Sequence, residues 1–365
     1  MPLSWRTPVV RVATPAWQAT RCPCPGARLS SRSKSLPTTA RLFTTSSGLQ
    51  SHDNPLGLPR NDAPPTMPRM QRGLPQKRKL PGVKKVVVVS SGKGGVGKSS
   101  VAVNLALALS STRAQGSEGA KPRVGLLDLD IFGPSIPKLM GLEGAGEPML
   151  TADNRLTPMR AHGLPCMSMG FLLPNTAPDP SNPASDPADT PVVWRGMMVM
   201  KAVQQLLFDV DWRAGTAGHD LDVLVIDTPP GTGDVTLSLG QLVEIDGSII
   251  VSTPQNVALI DTRKGVATFR KLGIPITGAV LNMSYFHVPG TPATEKHYLF
   301  GPPAAFESTC SALGLDILAE IPIEPDVSTQ GDRGTPVVLR GTAGEPESAS
   351  GAFRQLAEKV WSRLQ

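Results

Sequence analysis

The fold of this chain is decided by one stretch, Val86-Val87-Val88-Val89-Ser90-Ser91-Gly92-Lys93-Gly94-Gly95-Val96-Gly97-Lys98-Ser99-Ser100. Its apolar half has the pattern of a buried strand, and its glycine-rich half ends in Lys-Ser where a helical pattern begins. This order and spacing are those of a phosphate-binding P-loop, in which backbone N–H groups surround a phosphate at the positive end of a helix. The stretch therefore predicts a nucleotide site.

Each residue type in the loop has a role in binding phosphate. Glycines let successive N–H groups turn inward, a lysine reaches the terminal phosphates, and a serine hydroxyl ligates magnesium. We predict that Lys98 is that lysine and that Ser99 is that magnesium ligand. The predicted nucleotide-binding residues of the loop are Gly92, Lys93, Gly94, Gly95, Val96, Gly97, Lys98, Ser99 and Ser100.

After the loop, short apolar runs alternate with longer helical patterns. Strands that are apolar throughout and separated by helices predict an α/β fold, a doubly wound and mostly parallel sheet covered on both faces. The predicted strands are Val86–Ser90, Arg123–Asp128, Pro165–Met169, Val223–Asp227, Ser248–Thr253, Ile276–Asn282 and Ile317–Ile321. The predicted helices are Gly97–Ser111, Gly196–Asp209, Val257–Leu272, Pro303–Leu313 and Gly351–Leu364.

Composition divides the chain into three parts. Residues 1–50 contain seven Lys and Arg and no Asp or Glu, and they are rich in Ser and Thr. This composition is typical of an organelle transit peptide, so we predict a mitochondrial transit peptide at residues 1–45 and a matrix location, with an ordinary tail as the alternative. Residues 46–82, rich in Pro, Lys and Arg, predict an irregular arm, and residues 83–365 predict the P-loop NTPase domain.

The net charge of +6 comes from the N-terminal part. From Val86 onward, 21 Lys and Arg stand against 28 Asp and Glu, which predicts no nucleic-acid partner for the domain. No apolar run reaches the roughly 18 residues that span a bilayer, which predicts no transmembrane segment. Cys22 and Cys24 lie in the predicted leader, and we expect Cys166 and Cys310 to be buried, inert thiols.

Acidic residues follow two of the predicted strands, where ligands of such sheets lie. Alternation places Asp128 and Asp130 on one face, and we predict that Asp130 orients or deprotonates the attacking water, with a helix N-cap or loop carboxylate as the alternative. Asp227 ends an apolar strand, the position that holds the magnesium shell, here through a water molecule. The Gly/Pro-rich turn Thr228–Asp234 predicts a switch that responds to the γ-phosphate.

Lys93 adds a second lysine to the P-loop. An ordinary P-loop tolerates any residue at that position, so the alternative is a solvated surface lysine. The spelling Gly-Lys-Gly-Gly-Val-Gly-Lys-Ser resembles that of the deviant Walker A proteins, the MinD/ParA-like group, whose extra lysine crosses a dimer interface to the partner's nucleotide. This resemblance implies that Lys93 assists hydrolysis in trans, which makes it a catalytic candidate beside Asp130.

The chain as a whole resembles the Mrp/NBP35 group of P-loop ATPases, and most of all its mitochondrial Ind1/NUBPL-type branch, which supplies iron–sulfur clusters for assembly of respiratory complex I. The resemblance covers about residues 75–340 and implies slow, switch-like hydrolysis of ATP with magnesium. It also implies that Asn282 reads the adenine base. The matching stretches are Gly92–Ser99, Leu127–Pro137, Cys166–Phe171, Val193–Met200, Asp227–Gly240, Ser252–Leu259 and Leu281–Phe286.

The same resemblance implies a homodimer that holds one 4Fe-4S cluster between its subunits and delivers it to iron–sulfur recipient apoproteins. The group binds the cluster with Cys-x-x-Cys just after Asn-Met-Ser-x-Phe. Here Val288 and Thr291 occupy the two positions, and neither supplies the thiolate that iron requires. His287, His297 and Cys310 have no recognised ligand spacing.

Three explanations of this departure stay open: loss of cluster binding, a heterodimer with a Cys-bearing paralogue, or a gene-model error over residues 287–299. They leave two functional hypotheses. The first is an ATP-dependent iron–sulfur carrier or assembly factor, and the second is a cluster-free, nucleotide-switched, partner-binding ATPase of the ParA/MinD kind.

Two apolar helical stripes have alternative interpretations. The final helix predicts packing onto the sheet, with membrane contact as the alternative. A methionine-rich stripe predicts helix core, with a partner-binding surface as the alternative. Its members are Met197, Met198 and Met200, together with Trp194.

Overall fold

An eight-stranded sheet forms the centre of the P-loop domain. The structure is a computed structural model that describes residues 76–112, 121–131, 133–172, 196–288, 295–340 and 347–365. The strands are β1 (Val83–Ser91), β2 (Val124–Asp128), β3 (Met159–Ala161), β4 (Leu164–Ser168), β5 (Leu221–Asp227), β6 (Gly247–Ser252), β7 (Ile276–Leu281) and β8 (Ile317–Glu320). Their order is β3-β4-β2-β5-β1-β6-β7-β8. Only β3 runs antiparallel to its neighbour among these strands, so the predicted doubly wound, mostly parallel α/β sheet is confirmed.

The three central strands bring the site residues to one edge of the sheet. Val87, Val88 and Val89 of β1 are fully buried, as expected for a strand covered on both faces. Parallel pairing places Val89 beside Asp227 of β5 and Asp128 of β2 beside the same Asp227. The carboxyl ends of β1, β2 and β5 therefore lie together.

Each of the five predicted helices is present, with ends that lie within two residues of the prediction. The helices are α1 (Lys98–Ser111), α2 (Ile136–Leu139), α3 (Gly196–Phe208), α4 (Asp234–Leu242), α5 (Asn256–Lys271), α6 (Ala304–Leu313), α7 (Pro325–Asp332) and α8 (Ala349–Leu364). The sequence did not predict α2, α4 or α7. They are short, and α2 and α7 have proline in their first turn, where it is compatible with a helix but also typical of a loop.

The antiparallel hairpin of β3 and β4 was also not predicted. His162 and Gly163 form its two-residue turn, and both have positive φ angles, 51° and 84°. Two positive φ angles in succession are the requirement of a type I′ hairpin turn. The usual sequence for that turn is Asn-Gly or Asp-Gly, so His-Gly gave no signal.

The final helix packs against the domain, as predicted. Phe353, Leu356 and Val360 of α8 are buried, and the helix contacts α1 and β8. Its first turn is capped by Ser348, whose hydroxyl oxygen accepts a hydrogen bond from the backbone N–H of Gly351 at 3.1 Å. Among the described residues, the helices are too short or too polar to cross a membrane.

The methionine-rich stripe divides between core and surface. Val203 and Leu206 of α3 are buried and Met200 is half-buried, but Met197 and Met198 are exposed, so the predicted core role is wrong for those two. They lie in the first turn of α3, in which Val199 is buried, so that turn has one buried and two exposed apolar side chains. Trp194 lies outside the described residues.

The two cysteines of the domain are free and buried, as predicted. Burial raises the pKa of the Cys166 thiol to about 12 and that of the Cys310 thiol to about 11. A thiol held in its neutral form is a poor nucleophile and a poor metal ligand. Both are therefore neutral, buried thiols, and their lack of reactivity stays a prediction.

The predicted transit peptide and most of the predicted arm lie outside the described residues, and these boundaries stay predictions. The described end of the arm contacts the domain. The backbone N–H of Arg78 donates to Leu242 O at 2.9 Å, and its guanidinium lies 4.4 Å from the centre of the Phe208 ring. Leu80 is buried in the core.

Candidate nucleotide site

The P-loop connects β1 to α1, and its glycines are required by its geometry. Gly95 and Gly97 have φ angles of 79° and 80°, in the left-handed region that favours glycine. A side chain at Gly97 would also clash with the Asn282 amide, and one at Gly92 would clash with the backbone of Asp261 in α5. The loop therefore needs glycine for conformation and for close packing.

Lys98 and Asp227 form a buried ion pair at the centre of the site. Lys98 Nζ lies 2.6 Å from Asp227 Oδ1, and the two side chains are 6% and 0% exposed. Lys98 Nζ also lies 3.3 Å from the hydroxyl of Ser99. Because β1 and β5 are paired neighbours, their ends place the loop lysine and the strand-end carboxylate in contact.

The second oxygen of Asp227 is suited to a metal-bound water. Oδ2 is buried and makes no hydrogen bond within the described residues. Burial raises the pKa of this carboxyl, whereas the Lys98 ammonium and the Ser99 hydroxyl oppose that rise. A hard oxygen donor beside a serine hydroxyl is the donor set that magnesium prefers, so these two residues fit the ion.

Asp128 and Asp130 differ in their surroundings, and their predicted shared face stays a prediction. β2 ends at Asp128, so strand alternation does not extend to Asp130. Asp128 is fully buried, and burial together with the charge of Asp227 raises its pKa to about 7. Asp130 is half-buried, and its negative charge contributes to the raised pKa of Asp227. Asp130 is therefore the more accessible of the two at the nucleotide edge.

The predicted switch turn packs on the start of the P-loop. The Thr228 hydroxyl donates to Val89 O at 3.1 Å, and the N–H of Gly231 donates to Ser91 O at 2.8 Å. Both bonds attach the turn to β1, next to the phosphate loop. Through these two hydrogen bonds, a movement of the switch turn would displace the end of β1, and a movement of β1 would displace the turn.

Lys93 is exposed at the outer side of the loop, and Ser100 is half-buried in the first turn of α1. Asn282, at the end of β7, is buried, and its Nδ2 donates to Val96 O at 2.8 Å. The amide therefore holds the middle of the loop and lies at the site. Its predicted contact with the adenine base stays a prediction.

A cavity of about 200 Å³ adjoins the outer side of the loop. It is bounded by Lys93–Val96, Thr253, Gln255, Met283 and Phe300. The last four were not predicted as site residues. Thr253 follows β6 as Asp130 follows β2, so its strand-end position was an available signal, whereas Phe300 is brought there by tertiary structure alone.

The loop that carries Val288 contains no set of iron ligands among its described residues. Val288 is exposed, Thr291 lies outside the described residues, and Phe286 pairs with His297 in an antiparallel bridge. Within the described part of the chain, no three His, Cys, Asp or Glu side chains are grouped to hold a metal. The donor set present there does not fit a 4Fe-4S cluster.

Comparison with known proteins identifies the family. Residues 82–361 match the family described as NUBPL iron-transfer P-loop NTPase, of the ParA type. The chain belongs to this family. A mouse relative, named iron-sulfur cluster transfer protein NUBPL, is 44% identical over 81% of this chain and 82% of its own length.

Two further relatives are informative. The Arabidopsis thaliana protein named iron-sulfur protein required for NADH dehydrogenase, mitochondrial, is 40% identical over 77% of this chain and 79% of its own length. A solved nucleotide-binding protein from Archaeoglobus fulgidus, in complex with ADP, is 32% identical, with a TM-score of 0.54 over 70% of this chain and 88% of its own. The chain is thus a nucleotide-binding P-loop NTPase related to iron–sulfur cluster transfer proteins.

Proposed function

We propose that this chain binds and slowly hydrolyses ATP with magnesium, as a switch, in iron–sulfur cluster assembly in the mitochondrial matrix, where it serves respiratory complex I. The observation that carries the proposal is the P-loop whose Lys98 pairs with the strand-end Asp227. The names of the mouse and Arabidopsis relatives support the cluster pathway and the mitochondrial location.

In the proposed reaction, the backbone N–H groups of the loop bind the phosphates, and Lys98 exchanges Asp227 for phosphate oxygens. Ser99 would hold magnesium directly and Asp227 would hold it through water, and the ion would supply positive charge against the phosphates. Asp130 orients or deprotonates the attacking water, Asn282 reads the base, and Lys93 assists the partner's nucleotide.

Calorimetry with ATP and magnesium tests the site. Lys98→Ala should weaken binding at least 100-fold, because the loop loses its only buried cation among the described residues. Lys271→Ala, at the exposed far end of α5, should bind as the wild type does. Unchanged affinity in Lys98→Ala would refute the site. Lys93→Ala should retain binding and lose hydrolysis.

The proposed active unit is a homodimer that closes over the nucleotide edge, with a heterodimer with a Cys-bearing paralogue as its variant. Exposed apolar side chains lie near the P-loop, at Val257, Ile260, Leu299 and Phe300. The Asp130→Ala variant should bind ATP without hydrolysing it, which would keep the dimer closed. Light scattering of this variant with ATP should therefore give twice the monomer mass. A monomer at every concentration would contradict the homodimer.

The cluster-free ParA/MinD-like switch is the second candidate, and the exposed Val288 favours it. Anaerobic reconstitution of the wild type and of Val288→Cys/Thr291→Cys, followed by iron and acid-labile sulfide analysis, tests whether this loop can hold a cluster. We expect little iron in the wild type and about four iron atoms per two chains in the double variant. A full cluster in the wild type would overturn our interpretation of this loop.

Import of the full chain into isolated mitochondria tests the location. We expect cleavage near residue 45 and recovery in the matrix fraction. A chain that remains outside and uncleaved would contradict both the predicted transit peptide and the proposed compartment.

A further inference from the structure

Asp128 accepts three hydrogen bonds near the nucleotide edge, and the proposed reaction assigns it no step. It is fully buried at the end of β2. One oxygen accepts the N–H of Asp130 at 2.9 Å, and the other accepts the N–H of Ile136 at 3.3 Å and the hydroxyl of Ser168 at 3.0 Å. The side chain thus joins β2, the start of α2 and the end of β4.

This set of bonds spans the loop that carries Asp130. Asp130 and Ile136 both donate a backbone N–H to Asp128, so one carboxylate fixes the backbone at these two residues. Ionised aspartate accepts at both oxygens and donates at neither, and asparagine has the same shape but presents donors at one of these positions. The two backbone N–H donors, one at each oxygen, therefore match a carboxyl group and not an amide.

A second observation is the close packing of Gly170 on Pro134, which precedes α2, and on Pro137 in α2. Gly170 belongs to the 3-10 helix Met169–Leu172, and its N–H donates to Ser168 Oγ at 3.0 Å. A Cβ atom at Gly170 would approach Pro137 Cγ at 3.0 Å and Pro134 Cβ at 3.2 Å. The loop is therefore in close contact at Gly170, with no room for a methyl group unless the prolines shift.

We infer that Asp128 is a positioning residue for hydrolysis, which it serves by holding the backbone at Asp130 and at Ile136 and hence the Asp130 side chain in place. The inference rests on the proposed ATPase reaction, and Ser168 and Gly170 complete the support. Misplacement of a catalytic group by about 1 Å can cost 100-fold in rate, whereas nucleotide affinity comes from the P-loop on the other side of Asp227.

Steady-state kinetics and nucleotide binding test this assignment. Asp128→Asn should lower kcat about 10- to 100-fold, because the amide cannot accept from Ile136 and Asp130 together with Ser168. The Kd for ATP should stay within about threefold of the wild-type value. An unchanged kcat in the folded variant would overturn the inference.

A double-mutant comparison separates positioning from general structural damage. If Asp128 acts through Asp130, adding Asp128→Asn to Asp130→Ala should cause no further loss of kcat. A second loss of the same size would show that Asp128 does not act through Asp130, and would overturn the inference.

A pair of glycine variants keeps the test decisive if Asp128→Asn does not fold. Gly170→Ala leaves the carboxylate intact but pushes on the prolines of the loop, so kcat should fall at constant Kd. Gly265→Ala, in α5, adds a methyl group where nothing lies within 4 Å and should behave as the wild type. Equal kcat values for the two variants would count against the inference. A wild type that binds or hydrolyses no ATP would instead refute the proposed function.

Discussion

The buried ion pair between Lys98 and Asp227 predicts that removing the lysine lowers the free energy of unfolding by a large amount that depends on pH. The two groups are 2.6 Å apart and almost fully buried. Removing one partner of such a pair typically costs about 3–5 kcal/mol, because a buried charge is left without compensation. Against a typical total of about 5–15 kcal/mol, Lys98→Met should be strongly destabilising in the absence of nucleotide.

In Lys98→Met, protonation of Asp227 should limit the loss of stability, because it removes the uncompensated charge. The size of the loss should therefore depend on pH. Burial already raises the pKa of this carboxyl, and loss of the Lys98 ammonium removes the main opposing effect. The folded variant then binds a proton more tightly than the unfolded chain, whose carboxyl has a pKa of 3.8. Stability therefore falls as pH rises from 3.8 towards the folded pKa, and the penalty should be smaller at pH 5 than at pH 8.

Urea unfolding without nucleotide provides the assay, with Lys98→Met, Asp227→Asn and the double variant compared at both pH values. Removing both charges leaves no uncompensated ion, so the double variant should recover about 2 kcal/mol or more relative to the sum of the single losses. Lys271→Met serves as the control for a solvated lysine. Additivity within about 0.5 kcal/mol, with equal penalties at pH 5 and pH 8, would refute the reasoning.

Three further predictions concern other parts of the domain. Asp222→Asn should cost about 1 kcal/mol at neutral pH, since basic neighbours outweigh burial and lower the pKa of Asp222 to about 2. This contribution is present above pH 3.8 and is lost as pH falls through 2, so urea unfolding at pH 7 and pH 3 should show a smaller loss at the lower pH. Gly97→Ala should destabilise the protein by about 1–3 kcal/mol more than Gly95→Ala. Both glycines have φ near 80°, but only a methyl group at residue 97 would clash with the amide of Asn282. Equal unfolding midpoints for the two variants would contradict this. In a chain whose leader cysteines are changed to serine, Cys166 and Cys310 should not react with a disulfide reagent while the protein is folded, and should react in urea. Rapid labelling of the folded protein would show that they are not buried thiols.

The departures from prediction have local causes. The hairpin of β3 and β4 turns on His-Gly, a pair that rarely indicates a type I′ turn. Met197 and Met198 belong to the apolar stripe of α3, yet they are exposed. Periodicity identifies an apolar helix face but does not show how much of that face other elements cover.

The sequence by itself determined the P-loop, the alternation of strands and helices, and the absence of thiols at residues 288 and 291. These features depend on neighbouring residues along the chain: glycine conformation, apolar period and side-chain chemistry. Only the tertiary structure decided that Lys98 meets Asp227, that Asp128 is enclosed by three donors, and that Phe300 adjoins the phosphate loop. Those contacts join residues far apart in sequence, and they depend on strand order and register, which no local pattern encodes.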